Sequence, residues 1–405
     1  MHAEDKAWPS TCWIDRVHLT RLVANIIAQE VASNRRLDLQ RLRPDTWDDA
    51  YGILDTGLAL DSLERMNCAA ALNEFFHLSE FGAEDYLLAA ETLGDWVYIV
   101  ALSIASGAAQ LTFRTSGSTG AAKSCTHALD MLHAEISVWA AMFETRTHIV
   151  SLVPPQHLFG FVFTVVLAQA LKRPVQDMRF ASAATLKRAL QKPGALLVAA
   201  PVSWQFLARS IPAFPADVHG VSSAALMPAE LATQLKEQGL AALLDVYGSS
   251  ETGGIGFRCA PDTPYSLLPH WMLERSGDDA SLINLKTGAK TALMDVVSPG
   301  PENTFALHKR RDGAVQVGGV NVFPDYVARV VTGFPDVAQC AVRYCAERAR
   351  LKAFVVPHNR ADDHSTLEQR LRQLCAQHLN TPERPSAFMF GQALPVNALG
   401  KASDW

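Results

Sequence analysis

Nine consecutive residues, Thr115-Ser-Gly-Ser-Thr-Gly-Ala-Ala-Lys123, gather hydroxyls, two glycines and one lysine. Glycine lets a backbone approach a ligand closely, so that its N–H groups meet phosphate oxygens. Ser116, Ser118, Thr115 and Thr119 add hydroxyl donors, and Lys123 adds a mobile positive charge. Such a set grips a polyphosphate. The Walker pattern G-x-x-x-x-G-K-[ST] is the obvious comparison. Gly117 satisfies its first glycine, but Ala122 stands where the second is required. A Ser/Gly-rich surface turn is the alternative that the loop alone leaves open.

Further residues of chemical interest follow in order. His157 lies in Leu152-Val-Pro-Pro-Gln-His-Leu-Phe-Gly160, and taken alone reads equally as a satisfied core histidine. Ser222-Ser-Ala-Ala-Leu-Met-Pro228 is a run of small residues against which a flat ring can lie; a helix entry before Ala229 explains it as well. Leu244-Asp-Val-Tyr-Gly-Ser-Ser-Glu-Thr-Gly-Gly254 reads as a strand running into a polar loop. There Tyr247 offers a ring face, Ser250 a donor, and Glu251 a hard carboxylate suited to Mg²⁺. Asp295 precedes Arg310 by fifteen positions, and Leu394-Pro-Val-Asn-Ala-Leu-Gly-Lys401 ends on a lysine.

Taken together and in this order, these motifs resemble those of the adenylate-forming superfamily, which includes acyl-CoA synthetases, aryl-acid ligases and adenylation domains. The resemblance implies ATP- and Mg²⁺-dependent activation of a small carboxylic acid as an acyl-adenylate, then transfer to a thiol. It implies that Thr115, Ser116, Gly117, Ser118, Thr119, Gly120 and Lys123 hold phosphates. Ser223, Ala224 and Ala225 would line the adenine, with Tyr247, Gly248 and Ser249 beside the nucleotide. Ser250 would meet the α-phosphate, Glu251 would ligate Mg²⁺, and Asp295 and Arg310 would hold the ribose. His157, Phe159, Phe161, Gly253 and Gly254 would border the acid, read as aryl or medium-length and apolar. Lys401 would orient the carboxylate, and Asp312 would be the hinge of a mobile C-terminal domain that the loop Gly318-Gly319 opens. The sequence departs from the family pattern at Ala122, Ser223, Leu226, Leu293-Met294 and Gln316.

The elements that must position these groups read as follows. Ala109–Phe113 is an apolar run before the phosphate loop and is predicted as a strand. Upstream, helical periodicity runs through Val23-Ile26-Ile27-Val31 and Leu63-Met66-Ala70-Leu72-Phe76. Asp61 or Ser62 caps the second helix, a short turn follows near Ala83–Tyr86, and a last helix starts near Thr92. Between Pro44 and Val97 the charged residues are acidic except for Arg65. This acidic helical pattern, with Leu54-Asp-Thr-Gly-Leu-Ala-Leu-Asp-Ser-Leu63, resembles an acyl carrier protein. That resemblance implies 4′-phosphopantetheine on Ser62, loaded by a phosphopantetheinyl transferase, with the carrier domain or a separate carrier protein as acceptor. Free CoA is the other acceptor. Three plainer readings stand beside it: an N-cap on a solvated acidic helix, a degenerate carrier kept as a docking module (in a free acyl-CoA ligase or a non-catalytic scaffold that retains the fold), or a shrunken first part of the adenylating domain.

The expected architecture is therefore multidomain. An all-α four-helix carrier-like bundle (1–105) precedes a shortened α/β adenylation domain (106–311) and a small α+β C-terminal domain (312–405). The chain has 405 residues, 49% hydrophobic and 19% charged, with a net charge of −5. That balance suits a globular protein and argues against a nucleic-acid partner. Seven scattered cysteines form no C-x-x-C pair. No apolar run is long enough to span a bilayer, because Pro154-Pro-Gln-His157 interrupts the longest. With no signal-peptide pattern at the start, the expected location is the cytoplasm.

Overall fold

A computed structural model describes residues 7–54, 56–116, 122–261, 264–276, 279–310, 313–318, 320–358 and 364–395. The chain forms two compact units. The first comprises residues 1–114, 124–272 and 283–289; the second comprises 115–123, 273–282 and 290–405. The expected boundary at 105/106 thus falls inside the first unit, and that at 311/312 falls inside the second.

The first unit begins with helices α1 (Arg16–Arg35), α2 (Ser62–Phe76), α3 (Glu84–Leu87) and α4 (Leu93–Ala105). Asp61 is the N-cap of α2, and its carboxylate accepts from Glu64 N at 2.8 Å. Glu64 answers by accepting from Asp61 N at 3.2 Å, so both orphan donors are satisfied. Thr92 caps α4, its Oγ1 accepting from Asp95 N at 3.2 Å. Helix α1 is buried on more than the predicted stripe: Leu19, Leu22 and Ala28 join Val23, Ile27 and Val31 at zero exposure. The reason is that α1 is covered twice, by α2 and α4 and by the turn Val162–Val166. Arg21 Nη2 donates to Thr164 Oγ1 at 2.9 Å, and Arg179 donates to Asn25 Oδ1. The helices are therefore part of the first unit's packing.

Strands β1 (Gln110–Ser116) and β2 (Ala122–Ala128) pair with each other. After them come α5 (Leu129–Phe143), β3 (His148–Ser151), α6 (Leu158–Phe161), α7 (Leu167–Leu171), β4 (Val175–Asp177), α8 (Ala183–Leu190), β5 (Ala195–Ala199), α9 (Pro201–Ser210), β6 (His219–Ser222), α10 (Ala229–Glu237), β7 (Ala242–Ser249), β8 (Gly253–Cys259) and β9 (Tyr265–Leu267). The sheet order in this unit is β9-β8-β7-β6-β5-β3-β4. Strands β4, β3, β5, β6 and β7 are parallel, and β8 and β9 are antiparallel additions. Parallel neighbours require crossovers, which the intervening helices supply. Leu186 and Leu190 of α8, Trp204 and Leu207 of α9, and Leu231 and Leu235 of α10 bury against Leu197 and Ala199 of β5. Strand β5 is buried at every position, as a strand covered on both faces must be.

Strands β10 (Trp271–Ser276), β11 (Asp279–Asn284) and β12 (Lys290–Ala292) form a small sheet. The second unit continues with β13 (Asp295–Pro299) paired to β14 (Thr304–Arg310), and β15 (Val315–Val317) paired to β16 (Val320–Val322). It ends with α11 (Pro324–Thr332), β17 (Val337–Cys345), β18 (Arg350–Pro357), α12 (His364–His378) and β19 (Ala387–Phe390). The order β17-β18-β19 is antiparallel, then parallel. Val327 and Val331 of α11 and Leu367 and Leu371 of α12 bury against Leu351, Ala353 and Val355. This is the small α+β fold expected near the C-terminus. Among the described residues, no helix is long and apolar enough to cross a membrane.

Candidate active site

The candidate residues of the first unit gather at one edge of its sheet. His157 follows the end of β3, Ser223 to Ala225 follow β6, and Ser250-Glu251 follow β7. All three are C-terminal ends of parallel strands. Strand β4 lies on one side of β3 and β5 on the other, so the order reverses at β3. Open α/β sheets bind ligands at such a reversal. Two glycines permit the loops there. A Cβ on Gly160 would lie 1.9 Å from Pro154 O, and one on Gly248 would lie 2.5 Å from Gly253 O.

Side chains that the motifs did not single out hold these loops. His127 of β2 is buried, and its Nε2 lies 2.6 Å from Ser250 O. A carbonyl only accepts, so Nε2 carries the proton. Burial lowers the His127 pKa against the opposing pull of Ser250 and Glu251, which keeps the ring neutral. On the neighbouring turn, Gly254 N donates to Glu135 Oε2 at 2.8 Å, and Trp271 Nε1 donates to Gly254 O at 2.7 Å. Both backbone groups of Gly254 are thus fixed by side chains. A Cβ there would lie 2.2 Å from Glu135 Oε2. Glu135 is 3% exposed, and burial raises its pKa from 4.5 to about 7. Beneath Tyr247, Asp245 is 1% exposed and accepts from Tyr265 Oη at 2.5 Å and from Arg258 Nε at 2.9 Å. The Tyr265 ring meets Tyr247 edge-on at 6.0 Å and so backs the expected nucleotide face.

His157 is solvent-accessible yet densely surrounded, because it lines a cavity of about 220 Å³. Ile26, Ala71 and Phe75 of the N-terminal helices form the apolar wall, and Gln29, Glu30, Glu74, Thr112, Arg114 and Gln156 form the polar one. Desolvation, and next the Arg179 charge, lower the His157 pKa, so the imidazole is neutral near pH 7. Neither amide atom of Gln156 has a hydrogen-bond partner among the described residues. Phe161, expected beside the acid, is fully buried instead. Its ring packs edge-on against Phe113 at 5.3 Å and Phe75 at 6.2 Å, in the wall behind the cavity. Phe159 is partly exposed and meets Phe163 at 5.4 Å.

Glu251 is exposed, and the described residues contain no cluster of three His, Cys, Asp or Glu side chains. A lone carboxylate cannot cage a metal, but it fits Mg²⁺ that keeps water and substrate phosphates as its other ligands. Lys123 is exposed on β2. In the second unit, Asp295 and Arg310 are cross-strand partners in the β13–β14 ladder. The fifteen-residue spacing is therefore the length of one hairpin. Gly117 to Gly120, Asp312, Gly319 and Lys401 lie outside the described residues, as do the side chains of Thr115, Ser116 and Arg310.

Ser223 Oγ donates to Val246 O at 2.7 Å and ties the β6 end to β7. The next residue, Ala224, has φ of 72°, a left-handed conformation that strains a residue with a Cβ. Ala224→Gly relieves that strain but adds chain entropy to the unfolded state. The net expectation is a gain of about 0.5–1 kcal/mol, read as a raised midpoint in urea. A lowered midpoint would show that Ala224 is not strained.

Residues 108–300 match the AMP-binding enzyme family, and residues 327–401 match the AMP-binding enzyme C-terminal domain. A 4-coumarate–CoA ligase of Halorhodospira halophila is 38% identical over 386 residues, covering 94% of this chain and 97% of that protein. One of Rhodobacter capsulatus is 38% identical over 395 residues, 95% of this chain and 99% of the relative. The amide bond synthetase McbA of Marinactinospora thermotolerans shares the fold, with a TM-score of 0.64 at 16% identity over 95% of this chain and 92% of its own. The ordered motifs, the strand-end geometry and a relationship that runs the length of both chains agree: the protein belongs to the adenylate-forming AMP-binding enzyme family, of the acid–CoA ligase type.

Proposed function

We propose that the chain activates a single-ring aromatic acid of the hydroxycinnamate class and transfers it to the thiol of CoA. The observation that carries this reading is 38% identity to two 4-coumarate–CoA ligases over nearly the whole of each protein. The cavity beside His157 is consistent in size: about 220 Å³ exceeds the ~150 Å³ that accommodates benzene in an apolar protein site. A ring with a short side chain suits it, with Phe75 and Ile26 against the ring and the Gln156 amide available to a polar substituent.

A carboxylate resists nucleophiles because it is anionic and has a poor leaving group. In the proposed first step, its oxygen attacks the α-phosphorus of ATP and pyrophosphate leaves. Lys123 and the loop donors hold the departing phosphates, Ser250 meets the α-phosphate, and Lys401 bridges it to the acid. Mg²⁺ at Glu251 neutralises phosphate charge when bound. Tyr247 and Ser223 to Ala225 border the adenine, and Asp295 with Arg310 holds the ribose. In the second step the thiol sulfur attacks the acyl carbon, AMP leaves with the bonding pair, and the thiol proton passes to solvent. Lys401 vacates the site first, by rotation at Asp312.

The second reading places phosphopantetheine on Ser62, which is exposed at the start of α2. One experiment weighs both. Pyrophosphate exchange is measured with 4-hydroxycinnamate, cinnamate, benzoate, octanoate and acetate, and thioester formation with CoA. Exchange and acyl-CoA formation should be greatest with 4-hydroxycinnamate. A preference for acetate or octanoate would overturn the aromatic assignment. Mass spectrometry after treatment with a phosphopantetheinyl transferase and CoA should find the chain unmodified; a modified Ser62 would establish the carrier reading.

A further inference from the structure

We propose that the N-terminal helices serve the reaction by clamping the stem of the phosphate loop, with Glu74 of α2 as the positioning residue. This rests on the assignment of Thr115–Lys123 to phosphate binding. The residues that bound that loop are Arg114 on one strand and Ser124 on the other. One carboxylate holds both. Arg114 Nε donates to Glu74 Oε2 at 2.6 Å, and its Nη2 donates to the same oxygen. Ser124 Oγ donates to Glu74 Oε1 at 2.6 Å. Arg114 Nη1 also reaches Glu30 Oε1 of α1 at 3.0 Å, so two helices share the guanidinium.

A second rung lies two pairs further from the loop, on the same face. His77, the C-cap of α2, contacts Thr112 Oγ1 through Nε2 at 2.9 Å. Thr112 in turn meets Thr126 across the hairpin at 2.7 Å. The other face of the hairpin is apolar: Phe113 packs edge-on against Phe75 at 5.1 Å, and Cys125 is buried. Helix α2 and its C-cap thus engage three consecutive positions of β1, Thr112 by His77, Phe113 by Phe75 and Arg114 by Glu74, together with Ser124 of β2 by Glu74. Arg114 holds the Glu74 carboxyl below the usual carboxylate range, so the pair stays charged at neutral pH.

An isolated, partly exposed ion pair contributes little. Here its value lies in geometry. A fork to one oxygen and a hydroxyl to the other fix the separation of the two strand ends. A loop rich in glycine and serine loses conformational freedom on gripping phosphates, and a fixed stem reduces that loss. This also gives α1 and α2 a task that no thiol arm requires.

The test uses the full-length protein and MgATP alone, with no acid, so it does not depend on knowing the substrate. Calorimetry should show MgATP binding weakened about tenfold in Glu74→Ala, since an unclamped loop must be ordered by the ligand. Glu74→Gln, which keeps a partner for Ser124, should fall between. Ser124→Ala should weaken binding two- to threefold in the wild-type background and add nothing in the Glu74→Ala background. In turnover, the KM for ATP should rise while kcat at saturating ATP and acid stays within twofold; the acid KM is no control, because Glu74 also lines the cavity beside His157. Unchanged MgATP affinity in a folded Glu74→Ala variant would overturn the proposal, as would a fall in kcat with no change in the KM for ATP. Should Glu74→Ala fail to fold, the Ser124→Ala and Glu74→Gln affinities decide. Weakened MgATP binding with no acid activated by the wild type would sink the catalytic reading and leave the clamp standing.

Discussion

Glu135→Gln should stabilise the first unit by about 3 kcal/mol at pH 8 and by only about 1 kcal/mol at pH 5. The cause is the burial of the carboxyl on α5. Its pKa rises from 4.5 to about 7 because desolvation outweighs the Gly254 hydrogen bond. A carboxyl with a raised folded pKa binds its proton more tightly in the native state. Between about pH 4.5 and 7 the native state therefore holds more protons than the unfolded chain, and stability falls as pH rises through that window. Above pH 7 both states are ionised, and the loss has reached its limit. Glutamine keeps an oxygen for Gly254 N–H and removes the charge, so its contribution is flat in pH. Urea unfolding from pH 5 to 8 checks this: the wild type should lose about 2–3 kcal/mol more than the variant. Parallel curves would mean that Glu135 ionises without cost. Glu135→Ala is the contrasting case, because it leaves a buried N–H without a partner and opens a cavity. It should destabilise by about 3 kcal/mol and raise the KM for the acid, since Gly254 belongs to the expected floor of the acid site.

The sequence carried most of the motif order and little of what holds the motifs. The polar loops were legible because glycine, hydroxyls and charge recur at spacings that phosphate chemistry demands. Of the two caps the sequence left open, Asp61 and Ser62, the structure selects Asp61, with Glu64 three residues on completing a capping box. Asp295 and Arg310 were paired through the family resemblance, whose fifteen-residue spacing they match, and the β13–β14 ladder makes them cross-strand partners. Glu135 was not singled out, although a signal existed. It sits on the buried side of α5 with Leu132, Ile136 and Trp139, where a lone acid is out of place. His127, Glu74 and Trp271 carried no local signal, because their partners are distant in sequence. The Ser250 carbonyl is 123 residues from His127, and Ser124 is 50 from Glu74. Phe161 was expected beside the acid and packs against Phe113 and Phe75, a difference the sequence does not carry, because an aromatic beside a site motif looks the same whether it faces a ligand or supports the wall behind one. The acidic helices were read by charge pattern, which says nothing of the face they bury. Arg21 to Thr164 and Arg179 to Asn25 are tertiary bonds that no helical periodicity encodes.

Lys401→Ala should lower acid-dependent pyrophosphate exchange by about 10²–10³ and change thioester formation from supplied acyl-adenylate by less than about threefold. The asymmetry follows from charge. In the first step an acid carboxylate must approach an α-phosphate that is itself anionic. Two like charges about 4 Å apart repel by about 4 kcal/mol at an effective dielectric of 20, and an ammonium between them reverses the sign. On the proposed assignment, Lys123 and Mg²⁺ held by Glu251 would act on the phosphates and would leave this approach uncompensated. In the second step the carboxylate charge is gone, consumed in the mixed anhydride, and on the proposed assignment the lysine would have left before the thiol enters. A group that helps only the first transition state cannot slow the second by its removal. The measurement is therefore a ratio within one variant, which cancels differences in expression and folding between preparations. Equal losses in both half-reactions would mean that Lys401 acts on the nucleotide throughout, and the rotation at Asp312 would lose its purpose. Loss in the second step alone would place the lysine beside the thiol and not beside the acid.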